Sequence, residues 1–484
     1  MKKLFLTTLI SAVFTSVTFA QSDADALRYS RLNYSGTARF VATGGAFGAL
    51  GADFTTLSHN PAGIGLFKSS EISITPSLAI ANSEATFNNK FRDDSRYSFN
   101  IASVGIVMVT KPETHNSQSM WKGVQFGFGV NRLANFNNRM MIEGNNNTSS
   151  YLTAYQDRAY GIAPENLEAY GTGLAYDADL LFLRDAADSA SWNYQIDLPQ
   201  GGVNQRKSIE TKGAINEMVF SLGANYGDRL YMGATIGVPY IRYSETSVYT
   251  ETDVDENSDY FKSFSRTDNL ETSGTGVNLK FGIILRATEW LRLGGAVQTP
   301  TFYAGMADSW NTTFRSNFDN GRSLTANSPE GFYEYELNTP FRALGSVGFI
   351  FGKLGLISAD YEFVDYSTAR LRAPDYDFND ENETIRTSYN AANNLRLGTE
   401  WRMGTISFRA GYTLSANPYK YGSESVNTSY SLGLGLREKN FFLDFAWVQS
   451  AMDEEYYLYS VDYVEPVNTK LKNTLFLMTV GVKY

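Results

Sequence analysis

The sequence predicts an all-β protein. Its expected fold is a transmembrane antiparallel β-barrel of about fourteen strands, with an N-terminal plug and long loops at one end. Three observations carry this. Apolar and polar residues alternate with period two through most of the chain. Connections alternate between tight turns and long polar segments, the parity of a barrel with short turns at one rim and long loops at the other. After the N-terminus, no run approaches the roughly 18 continuous apolar residues that a spanning helix requires.

Residues 1–20 read as a signal peptide. Lys2 and Lys3 form a positive n-region, Leu4 to Phe14 an apolar core, and Thr18-Phe19-Ala20 a small-residue cleavage site. The mature chain then begins at Gln21 and is exported. With no Cys, disulfides, lipoprotein anchoring and thiolate metal sites are excluded. Tyr (31), Phe (32) and Gly (41) are abundant while charged residues make up 19%, as expected where aromatic girdles flank a lipid-facing band. The formal net charge of −10 argues against nucleic acid, which calls for basic patches.

The strands can be placed in order: 71–82, 97–110, 122–136, 216–227, 230–248, 274–287, 290–303, 335–352, 354–369, 390–403, 405–416, 428–438, 440–450 and 473–484. In the third, Val124, Phe126, Phe128 and Val130 share one face, and Gly123, Gln125, Gly127, Gly129 and Asn131 the other. Tyr430, Leu432, Leu434 and Leu436 oppose Ser431, Gly433, Gly435 and Arg437 in the same way. Spanning strands need about 9 to 11 residues, longer than the usual 5 to 6 of a soluble sheet. Tight turns fall at Gly227-Asp228, Ala287-Thr288-Glu289, Gly352-Lys353, Met403-Gly404 and Glu438-Lys439-Asn440. Long polar connections are expected at 83–96, 137–215, 249–273, 304–334, 370–389, 417–427 and 451–472. The final strand alternates Phe476, Met478, Val480, Val482 and Tyr484. It ends on an aromatic residue, the form of a last strand presented to barrel-assembly machinery.

Residues 21–70 do not read as strand. Ala38-Arg39-Phe40-Val41-Ala42-Thr43-Gly44-Gly45-Ala46-Phe47-Gly48-Ala49-Leu50-Gly51-Ala52-Asp53 leads into Thr55-Thr56-Leu57-Ser58-His59-Asn60-Pro61-Ala62-Gly63. Gly and Ala permit close packing, and Asn-Pro marks a turn. Such a segment, ahead of a barrel wide enough to need filling, predicts a plug.

This run resembles the N-terminal hatch of the FadL/TodX-type outer-membrane transporters of hydrophobic compounds. Asp360 to Tyr366, Leu395 to Arg402 and Arg409 to Tyr412 fit the resemblance, which extends over the mature chain. It implies a fourteen-strand barrel in the outer membrane of a Gram-negative bacterium. It implies passive transport of long-chain fatty acids, aromatic hydrocarbons or another lipid or pigment, without a cofactor. Loops would capture the ligand, a site beside the hatch would hold it, and hatch rearrangement would release it sideways. The exit would be a gap where a strand kinks inward. Asn60, Pro61 and Ala62, with Gly63, would anchor or hinge the hatch.

The kinked strand would be the third, where Gly123, Gly127 and Gly129 permit a bend; a thin lumen wall explains these glycines equally well. In the long 137–215 connection, Pro164 with Leu167, Tyr170 and Leu174 at helical spacing predicts a surface helix. It offers either a capture surface or packing for neighbouring loops.

Little other chemistry is encoded. His59 falls in the hatch and His115 in a tight connection, neither beside a catalytic set, so no enzyme is expected. Asp253, Asp255, Glu256 and Asp259, and Asp375, Asp377, Asp380 and Glu381, lack the glycine of a calcium loop and read as solvated charge. No metal site is expected. Asp360, Glu362, Arg396, Glu400, Arg402 and Arg409 are expected to pair inside the lumen, since basic residues facing lipid cost roughly 2 to 4 kcal/mol each at the midplane. Two other readings stay open: a general porin, and a non-transport surface receptor or adhesin, haem binding included.

Overall fold

The computed structural model describes residues 23–110, 119–199, 201–255, 260–420 and 426–484. The expected leader, His115, Glu256 and Asp259 lie outside the described residues. Strand segments run in order β1 (Glu71–Phe87), β2 (Lys90–Thr110), β3 (Trp121–Asn135), β4 (Asn138–Asn146), β5 (Val203–Tyr226), β6 (Leu230–Asp253) and β7 (Phe261–Arg286). Then follow β8 (Leu291–Gln298), β9 (Phe302–Phe318), β10 (Ser323–Asn327), β11 (Gly331–Asn338), β12 (Arg342–Phe351) and β13 (Gly355–Asp365). The last are β14 (Arg370–Arg372), β15 (Ala391–Met403), β16 (Ile406–Ser415), β17 (Asn427–Arg437), β18 (Phe441–Tyr456) and β19 (Val467–Lys483).

These segments form one closed antiparallel barrel of fourteen wall strands. β1 is bonded to β2 on one side and to β19 on the other, which removes the sheet edge. The segments outnumber the wall strands because four wall strands are broken. β3 continues as β4, β8 as β9, β13 as β14, and β10 to β12 form one run. Pro300 and Pro340 sit at two of these breaks, where a residue without an N–H cannot hold the ladder. All fourteen expected strands are present.

The alternation sorts as physics requires. Phe126, Phe128, Phe220, Leu222, Ile236, Phe281, Leu432 and Leu434 are exposed on the outer surface. Gln125, Asn131, Arg396, Glu400, Arg409 and Ser431 are buried inside. At the turn end, rings pair along the rim: Trp121 with Tyr226 at 5.1 Å and Phe351 with Trp401 at 5.7 Å between centroids. Tyr97, Phe99, Tyr361 and Tyr430 stand exposed further toward the loop end. In β19, Phe476, Met478, Val480 and Val482 all face outward, and Tyr484 just past it is exposed.

The loop end departs from expectation. The segment 83–96 is not a long loop: β1 and β2 run on to a two-residue turn, Asn88-Asn89, with φ of 46° and 62°. Both residues adopt the left-handed conformation that such a hairpin turn demands. The expected loops at 249–273 and 304–334 are mostly strand as well. Strand pairing needs no apolar face, so polar sequence beyond the apolar band reads as loop while the ladder simply continues.

The long connection narrows to the residues between β4 and β5. It holds α4 (Tyr151–Ala159), α5 (Thr172–Asp177) and α6 (Ala186–Ser191), labelled in order after the three hatch helices, and a single 3-10 turn at Pro164–Asn166. The expected continuous helix through Leu167, Tyr170 and Leu174 is therefore split, with Gly171 at the interruption. These elements pack into an apolar head over the barrel, built on Leu152, Tyr155, Leu181, Phe264, Phe314 and Leu458.

Candidate functional site

The hatch lies inside the cylinder. It comprises α1 (Asp23–Ser30), α2 (Ala38–Ala42), α3 (Thr56–His59) and a 3-10 turn at Pro61–Leu66, and it is buried almost throughout. Asn60 organises the last turn. Its Oδ1 accepts from the Ala62 N–H at 3.1 Å, capping the 3-10 turn, and its Nδ2 donates to the Gly48 carbonyl at 2.6 Å. Pro61 starts that turn, where a missing N–H costs nothing. Ala62 is fully buried, and a Cβ at Gly63 would collide with the Thr56 side chain and crowd the Gly51 Cα.

The wall receives the hatch on two sides. On the β2, β3, β5, β6 and β7 side, glycines make room. A Cβ at Gly127 would meet Leu57 and Ile64, one at Gly129 or Gly105 would meet Phe54, and one at Gly233 would meet the Pro61 carbonyl. On the β13 to β17 side glycines also make room, Gly398 against Thr43, Gly411 against Gly44 and Gly433 against Ala42, and polar contacts join them. Arg39 Nε donates to Glu400 at 2.8 Å. Asp360 Oδ2 accepts from the Phe47 and Gly48 N–H groups at 3.0 and 2.8 Å and lies 3.0 Å from His59 Nε2. Ser431 Oγ donates to the Ala42 carbonyl at 3.0 Å.

Charge is held in the lumen as pairs. Arg396 meets Glu362 at 3.3 Å, and Arg409 bridges Glu400 at 2.8 Å and Asp444 at 2.7 Å. Lys280 pairs with Glu217. Buried charge of this kind persists only when partnered.

The three glycines of β3 face the hatch side of the wall, and Gly127 and Gly129 sit in an unbroken ladder to β2 and β5. The register shifts of β3 flank them, at Trp121/Gly123 and Arg132/Ala134. The strand leaves the wall line above the second shift. β4 lies behind the inner face of β1, where Ser83 Oγ donates to the Arg139 carbonyl at 2.6 Å. The hatch is tied to this bend: Asn33 N–H donates to the Leu133 carbonyl at 2.7 Å and Ser35 N–H to the Arg132 carbonyl at 3.1 Å. Sequence reading missed this coupling, because backbone bonds between distant segments leave no residue signature.

Leu167 and Leu174 point into the head's core, and Tyr170 packs 5.9 Å from Trp310 between ring centroids. The three residues are packed rather than presented as an open surface.

Neither a protein-family model nor a curated protein matches the sequence. Solved structures do match. A FadL homologue from Pseudomonas aeruginosa aligns at TM-score 0.54 and 11% identity, over 93% of this chain and 99% of that one. The fold is that of the FadL/TodX-type barrels. The toluene transporter TodX of Pseudomonas putida aligns at TM-score 0.53 and 9% identity, covering 93% and 99%. TbuX, a toluene transporter of Ralstonia pickettii, aligns at 0.51 and 13%, covering 93% and 98%. Identity this low speaks for the FadL/TodX-type fold and leaves the ligand to chemistry.

Proposed function

We propose that this chain sits in the outer membrane of a Gram-negative bacterium and carries hydrophobic small molecules, long-chain fatty acids or similar, by passive diffusion. The hatch gates the passage, and the ligand leaves sideways through the wall. The observation that carries this reading is the pair of backbone hydrogen bonds joining Asn33 and Ser35 of the hatch to the bend of β3. Movement of the hatch pulls on the wall at the place where its ladder is interrupted. The lumen, rich in ion pairs, gives an apolar solute little reason to cross it whole, while a side exit delivers it to lipid. Solved relatives in fold are named for toluene transport. The outward apolar band contacts outer-membrane lipid, and the last strand, β19, engages the assembly machinery.

The test is uptake of a labelled long-chain fatty acid by cells carrying the intact gene and by cells with Asn60 and Pro61 both changed to Ala, at equal barrel levels. Uptake by the first alone supports hatch-gated transport of that class. A photoactivatable fatty acid then locates the exit. Labelling of β2 to β4 supports the lateral route, and labelling only at the turn-end mouth defeats it. A general porin would conduct ions freely without deletion of the hatch. High conductance of the intact chain, unchanged on removing residues 21–60, would establish that alternative.

A further inference from the structure

β2 is bonded along its length to β1, from Lys90 to Val107. On its other side it is bonded to β3 only from Ser103 to Thr110. Among the described residues, positions 90–102 have no ladder partner there. The β4–β5 hairpin lies behind them, and side chains replace the missing backbone bonds. Lys90 and Arg92 of β2 both reach Glu143 of β4, Arg92 at 2.9 Å. Arg96 of β2 reaches Glu210 of β5. Glu210 is steadied on its own side by Arg139 at 3.1 Å and Lys212 at 2.9 Å.

We propose that the seam between β2 and the β4–β5 hairpin is a salt-latched side door, with Glu143 and Glu210 as its latch residues and Lys90, Arg92 and Arg96 as the cations that hold it shut. This rests on the lateral-exit reading above and assigns the groups that control it. A ladder of backbone bonds would not open on its own, whereas partly exposed ion pairs are weak and screened by salt. The seam ends at Ser103 and Asn131, and Asn131 Nδ2 donates to Ser58 Oγ of the hatch at 2.9 Å. The latch and the hatch therefore act on the same stretch of wall.

The door answers ionic strength, because Glu143 faces two cations and Glu210 three across partly exposed pairs that salt screens. The remaining charges near them are Asp94 on the same face of β2, Arg206 opposite Glu143 on β5, and Glu245 on β6 beside the Glu210 register.

The chain has no cysteine, so spin labels at S95C and T246C, both exposed, report the width of the seam in the full-length protein in lipid nanodiscs. One narrow distance is expected in the parent. A second, longer population is expected in E143Q/E210Q, and also in the unsubstituted latch when salt rises from about 0.05 M to about 1 M. An unchanged distribution under high salt and in the variant overturns the latch. The salt series needs no substitution in the latch, so a misfolded variant does not spare the proposal. A thiol cross-linker joining R96C to E210C then separates the two readings. Uptake of a labelled fatty acid blocked by the cross-link supports door and exit together. A seam that widens as expected while cross-linked cells take up ligand normally keeps the latch and removes lateral exit.

Discussion

Asn60 of the hatch lies directly against Gly282 of the wall, with no space for a methyl group between them: a Cβ at 282 would collide with the Asn60 Oδ1. The same oxygen caps the turn that begins at Pro61. A wall glycine and a hatch asparagine thus fix each other, and the backbone of β7 is as much part of the hatch seat as the hatch itself.

Gly282→Ala should lift the Asn60 turn from the wall at an overpacking cost of about 1–3 kcal/mol. Gly295→Ala is the control, since its nearest neighbour, the Leu344 carbonyl, lies 3.9 Å away. Limited proteolysis of the hatch in detergent reads the difference. Equal resistance of the two variants refutes the seat.

Asn60→Ala should lose the cap, about 1 kcal/mol, and also leave the Gly48 carbonyl without its donor. Hydrogen exchange over residues 61–66 should then quicken by about five-fold or more. Pro61→Ala keeps both bonds and should leave exchange nearly unchanged.

Arg409→Ala should strip one partner from each of two buried carboxylates, Glu400 and Asp444. Breaking a buried pair from one side costs about 3–5 kcal/mol. The temperature at which the folded band shifts on gel electrophoresis should fall clearly. Arg39→Ala strips the hatch's own contact with Glu400 and should loosen the hatch while the barrel band stays where it was.

Glu251 gives the head a pH dependence. Its carboxyl is buried among the Ser150 hydroxyl, the Tyr151 N–H at 2.8 Å, the Gln205 amide at 2.9 Å and the Tyr249 hydroxyl at 2.5 Å. Burial raises its pKa above the ordinary carboxylate value. A raised carboxyl contributes stability that is complete below the unfolded value of about 4.3 and is lost as pH rises through the folded one. Exchange in α4 should therefore quicken as pH climbs through that window, once corrected for intrinsic rates. Glu251→Gln should flatten the profile, and an unaltered slope in that variant would rule this origin out.

Much of the wall was legible in the sequence. Period two marks a strand whose faces meet lipid and lumen, so Phe126, Phe128, Leu432 and Leu434 declared their side through alternation alone. Turn residues such as Gly227-Asp228 and Gly352-Lys353 declared the tight rim. The loop end was less legible. Residues 90–96 and 203–212 mix charges without an apolar face, and pairing there follows from the ladder below it rather than from local pattern. Leu167 and Leu174 carried helical spacing, but spacing cannot distinguish a face turned to solvent from one turned into a head core.

The all-β barrel, the strand order, the tight rim and the hatch segment followed from the chain's own pattern, because alternation and turn chemistry are local. Where the hatch touches the wall, and where the wall comes apart, depended on the folded cylinder. Asn60 meets Gly282, Arg39 meets Glu400, and Asn33 and Ser35 meet the bend of β3, each pair far apart along the chain. Closure of the cylinder creates these contacts, and no short window of sequence contains both partners.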